Sequence, residues 1–250
     1  MNTIWISAAG LAGSTVLGAI LGFGIKKIPH KWHDTMMGYC AGVMLAAAAL
    51  GLIVPAMQGA GSERWWIVLL GVLFGAMFLN VLDLFTPHLH TITGLDPEEH
   101  KTNERLNKVM LFVLAVAIHK LPEGIAAGVG FNAEDISNAW SVTVGLSIQN
   151  VPEAMVIIAP LLLAGVSRWR TIGLSFIIGG LEIVGIWAGY ALGRLSQMLL
   201  PLMLAFAGGS MLYVVSDEMI PETHSHGHHK SATYALLLGF LTLLFIDHLL

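Results

Sequence analysis

Long apolar stretches follow one another along almost the whole chain, and they restrict its fold more than any other feature. A helix that crosses a bilayer needs about 20 predominantly apolar residues. Stretches of this kind occupy residues 3–25, 36–57, 65–85, 109–131, 139–164, 171–193, 200–220 and 232–250. The sequence therefore predicts an all-α polytopic membrane protein with eight transmembrane helices.

The composition agrees with a membrane protein rather than with a soluble protein that has a large core. Only 11% of the 250 residues are charged, against about 25% in soluble domains, and the mean hydropathy is +0.75. The net charge of −4 gives no indication of a nucleic-acid partner. Because the linkers are short, residues 1–250 are predicted to form a single transmembrane domain. The first stretch lacks a basic leader and is too long for a signal peptide, so we interpret it as a retained helix.

The basic residues predict the orientation of the chain in the membrane. Nine of them fall on one side of the predicted helices and two on the other, and Lys120 belongs to neither side. The larger group is Lys26, Lys27, Lys31, Lys101, Arg105, Lys108, Arg168, Arg170 and Lys230, and the smaller is Arg64 and Arg194. By the positive-inside rule, both termini lie outside the cytoplasm and the loop 86–108 lies within it. The prediction is a multi-pass protein of the cell (inner) membrane.

Two similar motifs place polar residues near the middle of the bilayer. They are HKLPEG at 119–124 and QNVPEA at 149–154, and Glu182 lies at the same predicted depth. One uncompensated charge at this depth costs roughly 3 kcal/mol. Lys120, Glu123, Glu153 and Glu182 together would cost about 12 kcal/mol, which rivals the whole stability of a typical domain, about 5–15 kcal/mol. These residues must therefore compensate one another or bind an ion.

The spacing within the motifs favours a transport site. Each motif places two polar side chains four residues apart on one helical face, and each contains a proline that frees a backbone carbonyl. The pairs are His119 with Glu123 and Gln149 with Glu153. Paired, proline-interrupted helices at matching positions are typical of a transporter's midplane binding site.

The donor types indicate a divalent metal ion. Imidazole, carboxylate and amide groups suit Zn²⁺, with Cd²⁺, Fe²⁺ and Mn²⁺ as further candidates. Met44 can add a thioether from the second helix. The single cysteine, Cys40, excludes an internal disulfide and a Cys-rich zinc site, and we expect it to be a small buried side chain. No organic cofactor is expected.

Two other functions remain as alternatives to transport. The first is an intramembrane metalloenzyme, although the chain has no His-Glu-x-x-His run and no nucleophile elbow. The second is a metal sensor that does not transport, although no output domain is present. A Walker A sequence is also absent, so the chain is not predicted to use ATP.

At these motifs the chain resembles the ZIP family of divalent-metal transporters, and within it the bacterial GufA-like branch. The resemblance extends to the eight spans, to both termini outside, to a methionine on the second helix and to a glutamate on the sixth. It implies a ZIP-type bundle that imports metal through helices 2, 4, 5 and 6. The metal ligands that it implies are Met44, His119, Glu123, Gln149 and Glu153.

The resemblance also implies a second, bridged metal site, formed here by Lys120, Asn150 and Glu182. Lys120 departs from the family pattern, because an ammonium group donates three hydrogen bonds and accepts none. In one interpretation the charged Lys120 pairs with Glu182 or Glu153 and replaces one divalent ion. In the other, Lys120 swings away towards an outer cavity and two metals bind.

Further ionisable residues near the helix ends are candidates for the path of the metal. By the resemblance, they line its cytoplasmic exit and its outer entrance. They are Asp83, Glu218, Glu222, His224 and Asp247. The run THSHGHH at 223–229 is dense enough in histidine to bind metal weakly, whereas the loop 86–108 is interpreted as a solvated linker. The expected partners are the lipid bilayer and divalent metal ions, and a homodimer is left open.

Overall fold

The computed structural model describes residues 2–24, 29–84, 119–133, 136–163, 166–195, 199–224 and 227–250, although not the side chains of 82–84, 159–160, 163 and 195. Every regular element in this part of the chain is a helix. Six helical stretches within it are long and apolar enough to cross a membrane. The prediction of a polytopic membrane protein is thereby confirmed, and the part of the chain that the structure describes is all-helical.

Nine α-helices and two π-helical turns make up the described structure. In chain order the α-helices are α1 (Asn2–Gly22), α2 (His30–Ala46), α3 (Val54–Leu84), α4 (119–130), α5 (Ser137–Leu163), α6 (Arg168–Leu195), α7 (Leu200–Val214), α8 (Ile220–His224) and α9 (His229–Leu249). A π-helical turn, Ala47–Ile53, joins α2 to α3, and another, Val215–Met219, joins α7 to α8. Most of the predicted spans coincide with these helices. The first part of the span 109–131, and the loop 86–108, lie outside the described residues.

A hairpin in the chain accounts for two of the predicted spans. The helical stretch His30–Val81 has 52 residues, which at about 1.5 Å per residue far exceeds the bilayer thickness of about 30 Å. It is interrupted at Gly61, where φ is 66° and ψ is −175°, a conformation that only glycine adopts readily. The helical segments before and after Gly61 both pack against α7. Gly208 of α7 lies beside Ile53, and Gly209 lies beside Val72.

Glycines bring the helices of the bundle into close contact. Gly124 and Gly128 on α4 face Gly185 and Gly189 on α6, and a Cβ atom at any of these four would collide with the backbone of the other helix. Small residues spaced four apart are the usual means of packing membrane helices, since apolar burial gives little driving force within lipid. This contact fixes α4, which carries the first polar motif, directly against α6, which carries Glu182.

We expect Gly128→Ala to destabilise the protein by about 1–3 kcal/mol, because the added methyl group would overpack the contact with the Ile186 backbone. The measurement is the apparent midpoint of thermal denaturation of the purified protein in detergent. Gly180→Ala is the matched control, since a Cβ at Gly180 meets no atom within 4 Å. A midpoint for Gly128→Ala at or above that of the control would show that the α4–α6 contact tolerates a larger side chain.

The remaining helices complete a bundle around the two polar motifs. Helix α1 packs against α5 and α6, and α2 packs against α9 and α5. Large apolar side chains such as Trp5, Leu73 and Phe245 are exposed on the outside of the bundle, where lipid would cover them. The interior of the bundle, by contrast, holds charged and amide side chains.

Candidate metal site

The polar residues of both motifs converge in the bundle interior. Lys120 and Glu123 come from α4, Gln149 and Asn150 from α5, and Glu182 from α6. Each of these five residues is at most 1% exposed. Helix α5 remains continuous from Ser137 to Leu163 through Pro152, so its amides and Glu153 are carried on one helical surface. Residues that the sequence assigns to one depth of the bilayer thus lie together in the bundle.

Lys120 lies at the centre of this group. Its Nζ atom is 2.7 Å from Glu123 Oε2, 2.7 Å from Asn150 Oδ1 and 2.7 Å from Glu153 Oε2. Glu182 Oε1 lies farther away, at 3.6 Å. The sequence led us to expect a partner in Glu182 or Glu153, and the structure adds Glu123 and Asn150 as equally close neighbours. Oxygen atoms from three helices thus surround a single positive charge.

A second set of contacts holds Glu182 in place. Asn150 Nδ2 donates to Glu182 Oε1 at 2.7 Å, and Thr15 Oγ1 donates to Glu182 Oε2 at 2.9 Å. Sequence reasoning missed Thr15, because a lone threonine within an apolar stretch carries no signal that sets it apart. Through Thr15, α1 takes part in the site, and both oxygens of the Glu182 carboxylate accept a hydrogen bond.

Gln149 lies between the other two carboxylates. Its Nε2 atom is 3.4 Å from Glu123 Oε1 and 3.5 Å from Glu153 Oε2. Its side-chain carbonyl oxygen, Oε1, is buried and has no hydrogen-bond partner among the described residues. Leaving a buried acceptor unsatisfied costs about 1–3 kcal/mol. An oxygen ligand of this kind is suited to a bound cation.

His119 reaches a different neighbour. Its Nε2 atom lies 2.9 Å from Oε1 of Glu218, which belongs to the π-helical turn after α7. Both side chains are only slightly exposed, at 12% and 13%. The structure therefore places Glu218 against His119, which is a predicted metal ligand. For His119 Nε2 to bind a metal, its lone pair must be free, so any proton between Nε2 and Glu218 Oε1 must leave.

Helix α2 closes the other side of the site. Cys40 is fully buried, as expected, and its Sγ atom donates to the backbone carbonyl of Gln149 at 3.4 Å. Met44 follows four residues later, on the same face of α2, and is also buried. Met44 thus belongs to the apolar core that surrounds the polar group.

The predicted path residues are spread over both ends of the bundle. Glu222 is buried on α8, and His224 Nδ1 lies 2.9 Å from the carbonyl of Ile220 and its ring stacks on His229. Asp247 is half-buried at the far end of α9. The side chain of Asp83 lies outside the described residues.

The charges of the central group show what it can bind. One lysine faces three glutamates, so two negative charges remain uncompensated when all four are ionised, and a divalent cation would neutralise them. In the described ranges, no three His, Cys, Asp or Glu side chains are arranged to hold a metal. In this structure the positive charge among the three carboxylates is the Lys120 ammonium group.

Comparison with known proteins identifies the family. Residues 95–247 match the family model described as ZIP zinc transporter. The chain is 38% identical to "Zinc transporter ZIPB" of Bordetella bronchiseptica, over 96% of this chain and 78% of that protein. It is 37% identical to "Zinc transporter GufA" of Myxococcus xanthus, over 96% and 98% of the two chains. Human "Zinc transporter ZIP11" is 29% identical over 94% and 93%. The chain with this lysine-centred polar group therefore belongs to the ZIP zinc transporter family.

Proposed function

We propose that this protein imports divalent metal ions, principally Zn²⁺, into the cytoplasm. One observation supports this most directly. The side-chain oxygens of four residues converge on the Lys120 ammonium group in the bundle interior, and these residues are Glu123, Glu153, Glu182 and Asn150. The family and the two bacterial relatives support zinc as the cargo, and the donor set also admits Cd²⁺, Fe²⁺ and Mn²⁺. The same relatives are named as transporters, which favours transport over an enzyme or a sensor.

The proposed membrane arrangement has eight crossings with both termini outside the cytoplasm. The hairpin at Gly61 supports two crossings for the stretch His30–Val81. Helix α4 supplies the end of another crossing, and its beginning lies in the part of the chain that is not described. The excess of basic residues on one side supports the orientation.

The proposed transport site consists of Met44, His119, Glu123, Gln149 and Glu153. In it, Gln149 Oε1 offers a free acceptor, and the two carboxylates supply the negative charge that offsets dehydration of the ion. Lys120, with Asn150 and Glu182, takes the place of a second metal ion. When a single transported ion binds, Glu123 and Glu153 exchange their contacts to Lys120 for contacts to the ion. Thr15 and Asn150 meanwhile keep Glu182 in position.

Uptake into proteoliposomes tests the proposal directly. Purified protein is reconstituted, and Zn²⁺, Cd²⁺, Mn²⁺ or Fe²⁺ is added outside as the only gradient. We expect saturable uptake with Zn²⁺ among the best substrates, and none in protein-free vesicles. Stoichiometric metal binding without any uptake would favour the sensor instead, and absence of both would reject the site.

The four-histidine run is proposed to receive the metal at its exit. Replacing His224, His226, His228 and His229 together with alanine should lower the Zn²⁺ uptake rate severalfold without abolishing uptake, because the bundle interior remains intact. The measurement is initial uptake of radioactive zinc by intact cells that express each variant at equal level.

His248→Ala is the control for this variant, since His248 lies exposed at the opposite end of α9. Its uptake should equal that of the unchanged protein. Complete loss of uptake in the four-alanine variant, with normal expression, would make the run an obligatory part of the path.

A further inference from the structure

An open groove runs along the outside of the bundle between α1 and α6. Its volume is about 490 Å³, and every residue that lines it is apolar or glycine. The lining includes Ala9, Gly13, Ile20, Phe176, Gly180 and Ile183. A Cβ atom added at Gly13 or at Gly180 would meet no other atom within 4 Å. These two glycines therefore leave a space that no part of the described chain fills.

The length of the groove matches the depth of one leaflet of the bilayer. On α1 the lining extends from Ala9 to Ile20, which at 1.5 Å per residue is about 16 Å. Half of a hydrocarbon core about 30 Å thick is about 15 Å. One acyl chain of a lipid spans this depth, whereas a transmembrane helix from a second copy of the protein spans twice as much. The length of the groove therefore favours an acyl chain.

Two arginines lie near one end of the groove. Arg168 and Arg170 flank Trp169 in the first turn of α6. Trp169 precedes Phe176 by nearly two full turns, so it lies on the same face of the helix as the groove. Trp169 is 83% exposed, and an exposed tryptophan is typical of the boundary between lipid tails and head groups. This end of the groove therefore lies near the level of the head groups, on the side that the proposed orientation assigns to the cytoplasm.

Neither arginine is neutralised by the part of the chain that the structure describes. Both side chains are exposed, and no ion pair joins Arg168 or Arg170 to a described residue. By contrast, Arg194 at the other end of α6 lies over the ring of Tyr190. Guanidinium groups bind phosphate through paired hydrogen bonds. Basic residues beside membrane helices on the cytoplasmic side are typical of sites for anionic lipid head groups.

We propose that this groove is a binding site for an anionic phospholipid. One acyl chain fills the space beside Gly13 and Gly180, and the phosphate group of the same lipid contacts Arg168 and Arg170. Because the lipid contacts both α1 and α6, it also stabilises the packing of these two helices against each other.

Native mass spectrometry of the purified protein in detergent tests the head-group contacts. The probes are dioleoyl phosphatidylglycerol, which is anionic, and dioleoyl phosphatidylcholine, which has no net charge. We expect one molecule of the anionic lipid to bind per chain, more tightly than the neutral lipid. The double variant Arg168→Gln with Arg170→Gln should weaken binding of the anionic lipid about 10–30-fold, since each basic residue near head groups contributes about fivefold. Lys230→Gln, which replaces an exposed lysine at the start of α9, should leave both affinities unchanged.

Variants that fill the groove test the acyl-chain contact. Gly180→Leu places a side chain in the open space and should weaken binding of both lipids by a similar factor. The denaturation midpoint should be retained, because a Cβ atom at Gly180 meets no neighbour. Gly13→Leu makes the same test from α1. The control is Ile177→Phe, which adds bulk at an exposed position of α6 outside the groove lining and should bind both lipids normally.

Three outcomes would overturn the proposal. The first is equal affinity of the unchanged protein for the two lipids. The second is unchanged lipid binding in both leucine variants. The third is dissociation of a dimer in these variants without any loss of lipid binding, which would show that a second copy occupies the groove. None of these measurements uses a metal ion, so their results are independent of the proposed transport function.

Discussion

Glu123→Ala and Glu153→Ala should each reduce metal uptake to the level of protein-free vesicles. Both carboxylates lie in the bundle interior, 2.7 Å from Lys120 Nζ. A carboxylate on the surface of the bundle cannot replace the negative charge that they provide there. A divalent ion that leaves water needs fixed negative charge at this depth, because uncompensated charge in the membrane is costly. The measurement is initial Zn²⁺ uptake into proteoliposomes with equal amounts of reconstituted protein.

Two further variants make this result specific. Glu123→Gln keeps the size of the side chain and removes only its charge, so it should also be inactive. Glu63→Ala removes an exposed carboxylate near the Gly61 hairpin and should transport normally. Near-normal uptake by Glu123→Ala or by Glu153→Ala would reject the proposed site, even if transport itself were confirmed.

Replacement of Lys120 should have the largest effect on stability. In Lys120→Met, three glutamates at the centre of the bundle lose their common positive partner. Breaking a buried ion pair by removing one partner typically costs about 3–5 kcal/mol, so the apparent denaturation midpoint in metal-free buffer should fall sharply. Lys230→Met, which replaces an exposed lysine at the start of α9, should leave the midpoint unchanged.

Lys120→Asn tests whether Lys120 takes the place of a metal ion or only stabilises the fold. This variant restores an oxygen ligand and removes the fixed charge, so a second metal should bind beside Asn150 and Glu182. Metal analysis should then give two Zn²⁺ per chain instead of one, and added Zn²⁺ should raise the denaturation midpoint, because a ligand that binds only the folded state stabilises it. Two metals already present in the unchanged protein would show that Lys120 does not replace an ion.

Much of this arrangement could be predicted from the sequence, since long apolar stretches with charges at matched positions are compatible with few folds besides a membrane bundle. The convergence of Lys120, Glu123 and Glu153 follows from helix periodicity and the cost of buried charge. The contribution of Thr15 could not be predicted, because a lone threonine in an apolar helix usually bonds its own backbone. The Leu11 carbonyl does lie 3.3 Å from Thr15 Oγ1, but the single hydroxyl proton is shared with the closer Glu182 Oε2 at 2.9 Å.

The pairing of His119 with Glu218 was also beyond sequence reasoning, because the backbone that carries Glu218 departs from regular α-helical geometry. A helical wheel assumes 3.6 residues per turn throughout. The turn Val215–Met219 is π-helical, so the phase of the helix changes within the very residues that carry Glu218. Tertiary packing determines where such a turn forms, and the residue pattern of an apolar span gives little indication of it.

The same π-helical turn has a consequence for comparing related chains. A π-helical turn contains one residue more than the α-helical turn it replaces, and each residue rotates the helix by about 100°. A relative that lacks one residue between Val214 and Ile220 could keep α7 and α8 in register with their neighbours and still present a different side chain to His119. In an alignment, a single gap at this point would therefore mark a change in the contacts of the site, although every conspicuous motif residue would remain in place.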